Sequence, residues 1–518
     1  MLLRKYLLLT LLFILPTNLL AQEAGVSIDS KINEIFAPLS TILSDIVFAS
    51  FSAFGTDIPF IVLWLIGAGI YFTFYMDFIN LKGFKQAIRI VSGRYDNPND
   101  PGEITHFQAL SAAVSGTVGL GNIAGVAIAI SIGGPGATFW MILGGFFGMT
   151  TKFVECTLGV KYRKINENGV VTGGPMYYLR QGLAEQGLPT LGKILGALSA
   201  IICIAGALGS GALYQVNQST AQFINVIVPL TGNENSLFYN ASWVFGLIYA
   251  SITGFVIIGG IKKISHVTEI LVPFMAFIYI TASLLVIAVN FTQIPTAFAA
   301  IFNGAFSPEG VAGGFIGVLI QGLRRSSFSN EAGLGSAAIA HAAAKTNEPV
   351  AEGLVALMEP FFDTVVICTL TALVIIITGM HTNANPNDGI ALTSMAFESV
   401  FSWFPYVLAV AVLLFAFSTS ITWFYYGQRC FLYLVGESKT ADILYKGAFL
   451  AAIVIGSAMN LSSVISIADS VLLGMGFPNI LGLIILAPLV RKMLKSYLAR
   501  LKNGEIKTYN DASLDKES

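Results

Sequence analysis

The sequence predicts an all-α polytopic membrane protein, from its composition, the lengths of its apolar segments and the placement of its basic residues. Of the 518 residues, 55% are hydrophobic and 11% are charged, whereas an ordinary soluble domain carries about 25% charged residues. The formal net charge is −1 and the basic residues are scattered, so no nucleic-acid partner is expected. The chain is therefore expected to lie in a lipid bilayer.

The N-terminus has the pattern of a secretory signal peptide. Arg4 and Lys5 precede a leucine-rich core, and a cleavage site follows Ala21. The alternative is an uncleaved additional span, and in both cases the chain after Gln22 starts outside. We expect 1–21 to be a signal peptide and 22–57 to be an extracytoplasmic segment.

Eleven apolar segments follow, each long enough to cross a hydrocarbon layer about 30 Å thick as a helix. We number them spans 1 to 11, at about 58–80, 108–132, 136–160, 191–222, 241–261, 268–290, 311–342, 351–379, 405–433, 443–460 and 465–490. With the start outside, the basic loops fall inside, and the outer loops at 223–240, 292–309 and 380–404 contain no Lys or Arg. This arrangement satisfies the positive-inside rule and leaves 495–518 as a cytoplasmic tail.

Span 2 contains the stretch GTVGLGNIAG at 116–125, with four glycines and an asparagine in an apolar setting. Close helix packing through small residues is one interpretation, because Gly121 and Gly125 have GxxxG spacing. The other is a discontinuous helix, since unwound backbone at membrane depth is tolerated where it is buried in protein or lines a cavity.

Span 7 contains a second such stretch, GLRRSSFSNEAGLGS at 322–336, and this favours discontinuous helices. Spans 2 and 7 run in opposite directions and lie five spans apart, which is the pattern of inverted repeats in secondary transporters. We therefore predict a 5+5 inverted repeat of spans 2–6 and 7–11. The corresponding segments are 58–104 for span 1 and its cytoplasmic loop, 105–291 for the first repeat and 292–494 for the second.

Four motifs then give a resemblance to a known family. GTVGLGNIAGVA at 116–127, GGPGATFWM at 133–141, GGPMYYL at 173–179 and SFSNEAGLGSAAIAHAAAKT at 327–346 resemble the sodium:alanine (alanine or glycine:cation) symporter family. The resemblance implies a leucine-transporter-type fold, sodium-driven import of alanine or glycine by alternating access, no cofactor beyond the coupling ion, and a multi-pass location in a bacterial inner membrane.

The breaks also predict a ligand site on chemical grounds. Amide groups at half-helix N-termini, near Gly119, Gly121 and Asn122 and again near Ser329, suit a substrate carboxylate. Free carbonyls and side-chain oxygens suit an ammonium group or a sodium ion. The alternative role of Asn122, an isolated polar contact between helices, is less consistent with the neighbouring glycines.

Further site residues come from spans 4, 7 and 9. The resemblance places substrate contacts at Gln215, Thr419 and Trp423, and Phe328 and Trp423 would restrict the pocket to a methyl-sized side chain. The alternatives are polar packing for Gln215, back-bonding of hydroxyls to their own helix and ordinary packing of the aromatic rings. Sodium is expected near four residues: Thr117, Val118, Ser418 and Thr422.

Charged residues inside spans are candidates for function. Lys152 and Glu155, at i and i+3, are interpreted as a local ion pair or gate, and Glu359 and Asp363 as a polar network around Pro360. We expect the span 7 arginines, Arg324 and Arg325, to face the outer vestibule and Glu331 to orient the broken backbone; Asp469 has no assignment. The cysteines (Cys156, Cys203, Cys368 and Cys430) are interpreted as packing residues, and His106, His266 and His341 as having no metal-ligand partner.

Three functional classes remain. Sodium-driven symport of a small amino acid ranks first, and proton-coupled transport on the same fold ranks second because it would need a deeply buried carboxylate. An intramembrane enzyme ranks third, since the sequence has no GxSxG or HExxH motif. A channel is disfavoured because the breaks predict a closed midplane site.

Overall fold

The computed structural model describes residues 28–53, 56–167, 169–231, 241–306, 314–385 and 388–509. The predicted signal peptide lies outside these residues. Six helical runs in the described part are long and apolar enough to cross a membrane: Pro189–Ile227, Gly260–Val289, Pro349–Ile377, Phe404–Val435, Lys439–Ala458 and Leu461–Lys502. Of the other predicted spans, 1 and 5 are shorter, 2 and 7 are interrupted, and span 3 is a continuous helix of 25 residues that contains Lys152 and Glu155. The total of eleven therefore stays a prediction.

Every predicted span is occupied by helix. Spans 1 to 6 are Phe60–Tyr75; His106–Thr117 with Ala124–Gly133; Ala137–Lys161; Pro189–Gly206 continuing through Ala207–Tyr214, Gln215–Gln222 and Phe223–Ile227; Trp243–Ile257; and Gly260–Val289. Spans 7 to 11 are Gly314–Asn330 with Ala337–His341; Pro349–Ala356 continuing through Met358–Pro360, Phe361–Cys368 and Thr369–Ile377; Phe404–Val435; Lys439–Ala458; and Leu461–Gly474 with Gly476–Lys502. Three of these segments are π-helical: Ala207–Tyr214, Phe223–Ile227 and Phe361–Cys368.

Several shorter elements connect the spans. The helices among them are Ile28–Val47, Ile79–Lys82, Phe84–Val91, Pro175–Glu185, Ile294–Phe306 and Ile390–Glu398, with 3₁₀ turns at Val228–Thr231, Phe291–Gln293 and Met380–Asn383. Two antiparallel hairpins pair Ser50–Ala53 with Thr56–Pro59 and Lys164–Ile165 with Val171–Thr172. The first helix packs on span 11, where Ser466 Oγ donates to Ser40 O at 3.1 Å. The last helix continues to Lys502, into the segment predicted as a tail.

The two interrupted helices are enclosed by the rest of the bundle. Span 3 packs against spans 1, 7 and 8, and span 9 packs against spans 2, 4 and 6. The first half of span 2 begins at a capping box, in which Thr105 Oγ1 accepts from Gln108 N and Gln108 Oε1 accepts from Thr105 N. This cap fixes where the half-helix starts, and the half-helix delivers the chain to its break in the protein interior.

Candidate functional site

The first break spans residues 118–123, and polar side chains satisfy its backbone. Gly119 N donates to Asn122 Oδ1 at 3.0 Å, and Leu120 N donates to Gln215 Oε1 at 3.2 Å. Unpaired amides at this depth would each cost several kcal/mol, of the order of ~2–7. The two polar residues predicted as ligands therefore also hold the unwound backbone in place.

The second break spans residues 331–336 and contains three residues with left-handed backbone. Gly333 and Gly335 have φ of 91° and 84°, and Glu331 has φ of 56°. A non-glycine residue in this region is strained and needs surrounding support. Glu331 has that support because its Oε2 accepts a hydrogen bond from Ser336 Oγ at 2.5 Å, which agrees with the predicted orienting role.

Two residues from other spans hold the backbone of the second break. Gly335 N donates to Glu155 Oε1 at 3.0 Å, and Asn479 Nδ2 donates to the same carboxylate at 2.7 Å and to Gly333 O at 2.9 Å. The predicted pairing of Glu155 with Lys152 is therefore wrong. Glu155 stabilises the break, and the sequence interpretation did not single out Asn479 at all.

The ion pair of Lys152 is made across the bundle. Lys152 Nζ lies 3.1 Å from Glu359 Oε2, and both side chains are fully buried. The predicted network of Glu359 with Asp363 is also wrong, because the two carboxylates have different partners. Glu359 contacts Lys152 and His341, whereas Asp363 reaches the breaks.

Asp363 joins the two breaks. Asn122 Nδ2 of span 2 donates to Ser329 Oγ of span 7 at 3.1 Å, and Ser329 Oγ donates to Asp363 Oδ2 at 2.5 Å. Asn122 Nδ2 also donates to Asp363 Oδ1. In the described residues no Lys, Arg or His lies within ion-pair distance of Asp363. Sequence reasoning missed this role, for which the only signal was an acidic residue within an apolar span.

Span 9 closes the other side of the breaks. Trp423 Nε1 lies 3.2 Å from Gly116 O and 3.1 Å from Glu331 Oε1, so one indole contacts both interrupted helices. Thr419 Oγ1 donates to Ser115 O at 2.9 Å. The two span 9 residues predicted to share a face therefore both point at span 2.

Aromatic rings cover the first break. The ring of Phe328 lies against Gly121, where an added Cβ would be 3.2 Å from it, and it packs edge-on against Tyr214 at 5.3 Å between centroids. Tyr214 was not predicted. The structure brings together all eight predicted substrate residues, every side chain among them buried: Gly119, Gly121, Asn122, Gln215, Phe328, Ser329, Thr419 and Trp423.

The residues predicted for sodium are only partly brought together. Thr422 Oγ1 lies 3.1 Å from Ser115 Oγ, and the Thr117 hydroxyl bonds to carbonyls of its own helix. The Ser418 hydroxyl points away, 3.6 Å from Met275 Sδ, while its carbonyl accepts from Ser115 Oγ at 2.8 Å. Ser115, which the sequence did not indicate, therefore contacts two of the four predicted residues, Ser418 and Thr422.

The unassigned Asp469 pairs with the two arginines of span 7. Arg324 Nη2 lies 2.7 Å from Asp469 Oδ2, and Arg325 contacts the same oxygen. The Arg324 guanidinium also stacks on Phe48 at 4.0 Å, just after the N-terminal helix. The cluster thus ties span 7 to span 11 and to the N-terminal segment.

The cysteines are buried and free of disulfides, in agreement with a packing role. One histidine differs from the prediction, because ligand-type atoms of Cys156, His341 and Glu359 lie within 4.8 Å of one another. His341 and Glu359 already bond to each other, and Glu359 also faces the Lys152 ammonium.

The closest packing at the first break gives a testable prediction. A methyl group at Gly119 would lie 2.5 Å from Thr419 Oγ1, so Gly119→Ala must displace span 9 or the break. The amino-acid uptake that the family resemblance implies should then fall at least about tenfold, as overpacking costs about 1–3 kcal/mol. Gly125→Ala is the matched control, since its methyl group would meet only the Tyr214 hydroxyl at 3.9 Å. Equal uptake by the two variants in reconstituted vesicles would show that the Gly119 contact is not critical.

Comparisons with known proteins show the family of the chain. The model of the Sodium:alanine symporter family matches residues 41–511. The sodium/alanine symporter AgcS of Methanococcus maripaludis is 40% identical over 448 residues, 86% of this chain and 95% of the relative. The amino-acid carrier protein AlsT of Bacillus subtilis is 34% identical over 456 residues, 86% of this chain and 92% of the relative.

A solved structure shares the fold at low sequence identity. The crystal structure of MhsT in complex with L-phenylalanine matches with a TM-score of 0.54 and 15% identity, over 77% of this chain and 99% of that one. The likeness to MhsT therefore shows the fold alone, while the family match and the AgcS relative, over most of both chains, show the family. The chain belongs to the sodium:alanine symporter family.

Proposed function

We propose that the protein is a sodium-coupled symporter that imports alanine, glycine or both by alternating access. Membership of the family makes it a multi-pass membrane transporter of alanine driven by a cation, and not an enzyme. The observation that carries the finer proposal is the contact between the two breaks, through Asn122 and Ser329. We further propose eleven spans in a 5+5 inverted repeat, with an extracytoplasmic N-terminus and a cytoplasmic C-terminus.

In this proposal the substrate lies between the breaks. When the substrate binds, the side chains of Asn122 and Gln215 release the backbone amides of Gly119 and Leu120 and bond to the substrate instead. The two released amides then bind the substrate carboxylate. Phe328 and Trp423 flank this position, and their bulk supports selection of a very small side chain. Since the surrounding side chains are buried, a rocking movement of spans 2 and 7 is needed for entry and release.

Sodium is proposed to bind on the span 9 side of the first break. The oxygen atoms available are those of Thr117, Val118 and Thr422 and the carbonyl of Ser418, since the Ser418 hydroxyl faces Met275. Sodium prefers such oxygen ligands. Because these groups connect span 2 to span 9, sodium binding would hold the two helices together and so favour the state that binds substrate.

Labelled-alanine uptake by proteoliposomes tests the coupling. An inward sodium gradient is expected to drive accumulation, and replacement of sodium by choline is expected to abolish it. Uptake that is equally fast with choline, or with a proton gradient in place of sodium, would contradict sodium coupling. Competition by unlabelled glycine and serine in the same vesicles ranks the substrates.

Proton coupling is a second candidate, and Asp363 is the observation that favours it. Its carboxylate is fully buried at the junction of the breaks and, in the described residues, has only hydroxyl and amide partners such as Ser329 and Asn122. A bound sodium or a bound proton could each neutralise it. The gradient exchange above separates these two possibilities.

A further inference from the structure

A chain of acidic and basic side chains runs through the bundle apart from the substrate site. We define the buried charge chain as His106 of span 2, Glu352 and Glu359 of span 8, His341 of span 7 and Lys152 of span 3. All five side chains are at most 2% exposed. Neither the proposed substrate nor the proposed sodium ion contacts them, so the proposed function leaves this chain unexplained.

His341 lies between two carboxylates. Its Nδ1 is 2.5 Å from Glu352 Oε1, and its Nε2 is 2.6 Å from Glu359 Oε1. A neutral imidazole has only one N–H, and an ionised carboxylate can only accept. Two such short contacts therefore require a proton in each gap, either on an imidazolium or on one protonated carboxyl group. The triad of His341, Glu352 and Glu359 therefore holds one proton more than a neutral histidine beside two ionised carboxylates would.

The charges of Lys152, His341, Glu352 and Glu359 sum to zero only when this proton is present. Lys152 contributes one positive charge 3.1 Å from Glu359, and the extra proton offsets the second carboxylate, Glu352. Removing the proton would leave a net negative charge among fully buried side chains. An uncompensated buried charge costs several kcal/mol of free energy.

Other charged and titratable groups surround the triad. Cys156 of span 3 lies beside His341 and Glu359. Glu155 and Glu331 face Lys152, and Arg163 faces Glu352 while its guanidinium donates to the carbonyls of Ala342 and Ala344. Glu155 and Glu331 add to the negative potential around Lys152. Arg163 donates to backbone carbonyls, so it does not take the place of the proton between His341 and its two carboxylates.

The chain also leads to the surface. His106 Nδ1 contacts Glu352 Oε2, the oxygen not used by His341, and His106 Nε2 lies 4.0 Å from Asp96 Oδ1. Asp96 is in the loop before span 2, its side chain is 35% exposed, and burial raises the pKa of its carboxyl. A group of this kind can exchange protons with water and with the imidazole behind it.

We propose that His341, held between Glu352 and Glu359, is a proton-binding site separate from the substrate and sodium sites, and that its proton exchanges with the aqueous loop at Asp96 through Glu352 and His106. The site joins span 7 and span 2 to span 8, so the proton stabilises the packing of both interrupted helices. It does not depend on which cation drives transport.

Nitrogen NMR of purified protein with labelled histidine tests the site directly. The sequence contains four histidines, so the double variant His266→Gln/His381→Gln leaves only His106 and His341. At about pH 8 an ordinary histidine is neutral. We expect the His341 ring, distinguished from the other by its persistence in His106→Gln, to carry protons on both nitrogens, or infrared spectra to show a buried protonated carboxyl that Glu352→Gln or Glu359→Gln removes. Two neutral rings with both carboxylates ionised would overturn the proposal.

His266 lies outside the buried charge chain and provides a control within the same protein. It bonds to one carboxylate, with Nδ1 2.6 Å from Glu269 Oε1, and its side chain is 70% exposed, so it lacks the burial and the second carboxylate that hold the proton at His341. His106→Gln should leave the bound proton in place and slow its exchange with solvent at least about tenfold. An unchanged exchange rate would contradict the route through His106. Because these spectra do not measure uptake, they succeed or fail independently of the sodium experiment.

Discussion

Asp363→Ala is expected to reduce sodium-driven alanine uptake at low substrate concentration at least about tenfold. The carboxylate accepts from Ser329, two residues before the second break, and from Asn122 in the first break. Hydrogen bonds to a charged group contribute about 1.5–3 kcal/mol each. Its removal takes the charged acceptor away from both donors and leaves Asn122 with only the residue 363 carbonyl, Ser329 and Cys368. Initial rates in proteoliposomes, as a function of alanine and of sodium, measure the effect.

Two further variants, a surface control and a variant that removes only the charge, show how that result is to be interpreted. Asp57→Ala removes an exposed hairpin carboxylate that bonds only to Ser52 in the described residues, and uptake should stay within about twofold of the wild type, as for most surface substitutions. Asp363→Asn keeps one oxygen acceptor and removes the charge, so a loss of sodium dependence with residual uptake would assign the charge to cation coupling. Wild-type uptake by Asp363→Ala would remove Asp363 from the site.

Lys152→Met and Glu359→Gln should each destabilise the folded protein strongly. Each single change leaves its partner as an unpaired or underpaired charge in the interior, and breaking a buried pair typically costs about 3–5 kcal/mol. The double variant should be more stable than the sum of the single effects predicts, because it removes both charges together. Thermal unfolding of the detergent-solubilised protein, followed by size-exclusion chromatography, measures the three shifts.

A surface ion pair is the matched control for this cycle. Lys82 Nζ lies 2.7 Å from Asp77 Oδ2 with both side chains mostly exposed, and pairs of this kind contribute little to stability. Lys82→Met should therefore leave the melting temperature nearly unchanged. If Lys152→Met is equally mild, or if the double variant is only additive, the buried pair does not stabilise the fold as described.

The two breaks were predictable because their cause is local. Glycine, asparagine and serine in the middle of an apolar span conflict with a continuous helix, and the structure interrupts the helix at 118–123 and 331–336. Apart from Tyr214 and Asp363, the side chains described at the first break followed from the same stretches and from the family resemblance. What these residues bind stays a proposal.

The partners of the breaks were not predictable from local patterns. Spacing suggested Glu155 for Lys152, but tertiary packing of span 3 against span 8 brings Glu359 to the lysine instead. Asp363 is separated from Asn122 by 241 residues, and no periodicity in one sequence encodes such a contact. The packing of helix Ile28–Val47 on span 11 was missed for the same reason.

The π-helical segments give spans 4 and 8 a freedom that a regular α-helix lacks. One such segment ends immediately before Gln215, and another contains Asp363. A π-helical turn contains one residue more than an α-helical turn and can shift its position along the helix. Each shift rotates the side chains it passes by about 100° while the helix stays hydrogen-bonded. Both side chains can therefore be re-aimed during a transport cycle without any unwinding of the helices that carry them.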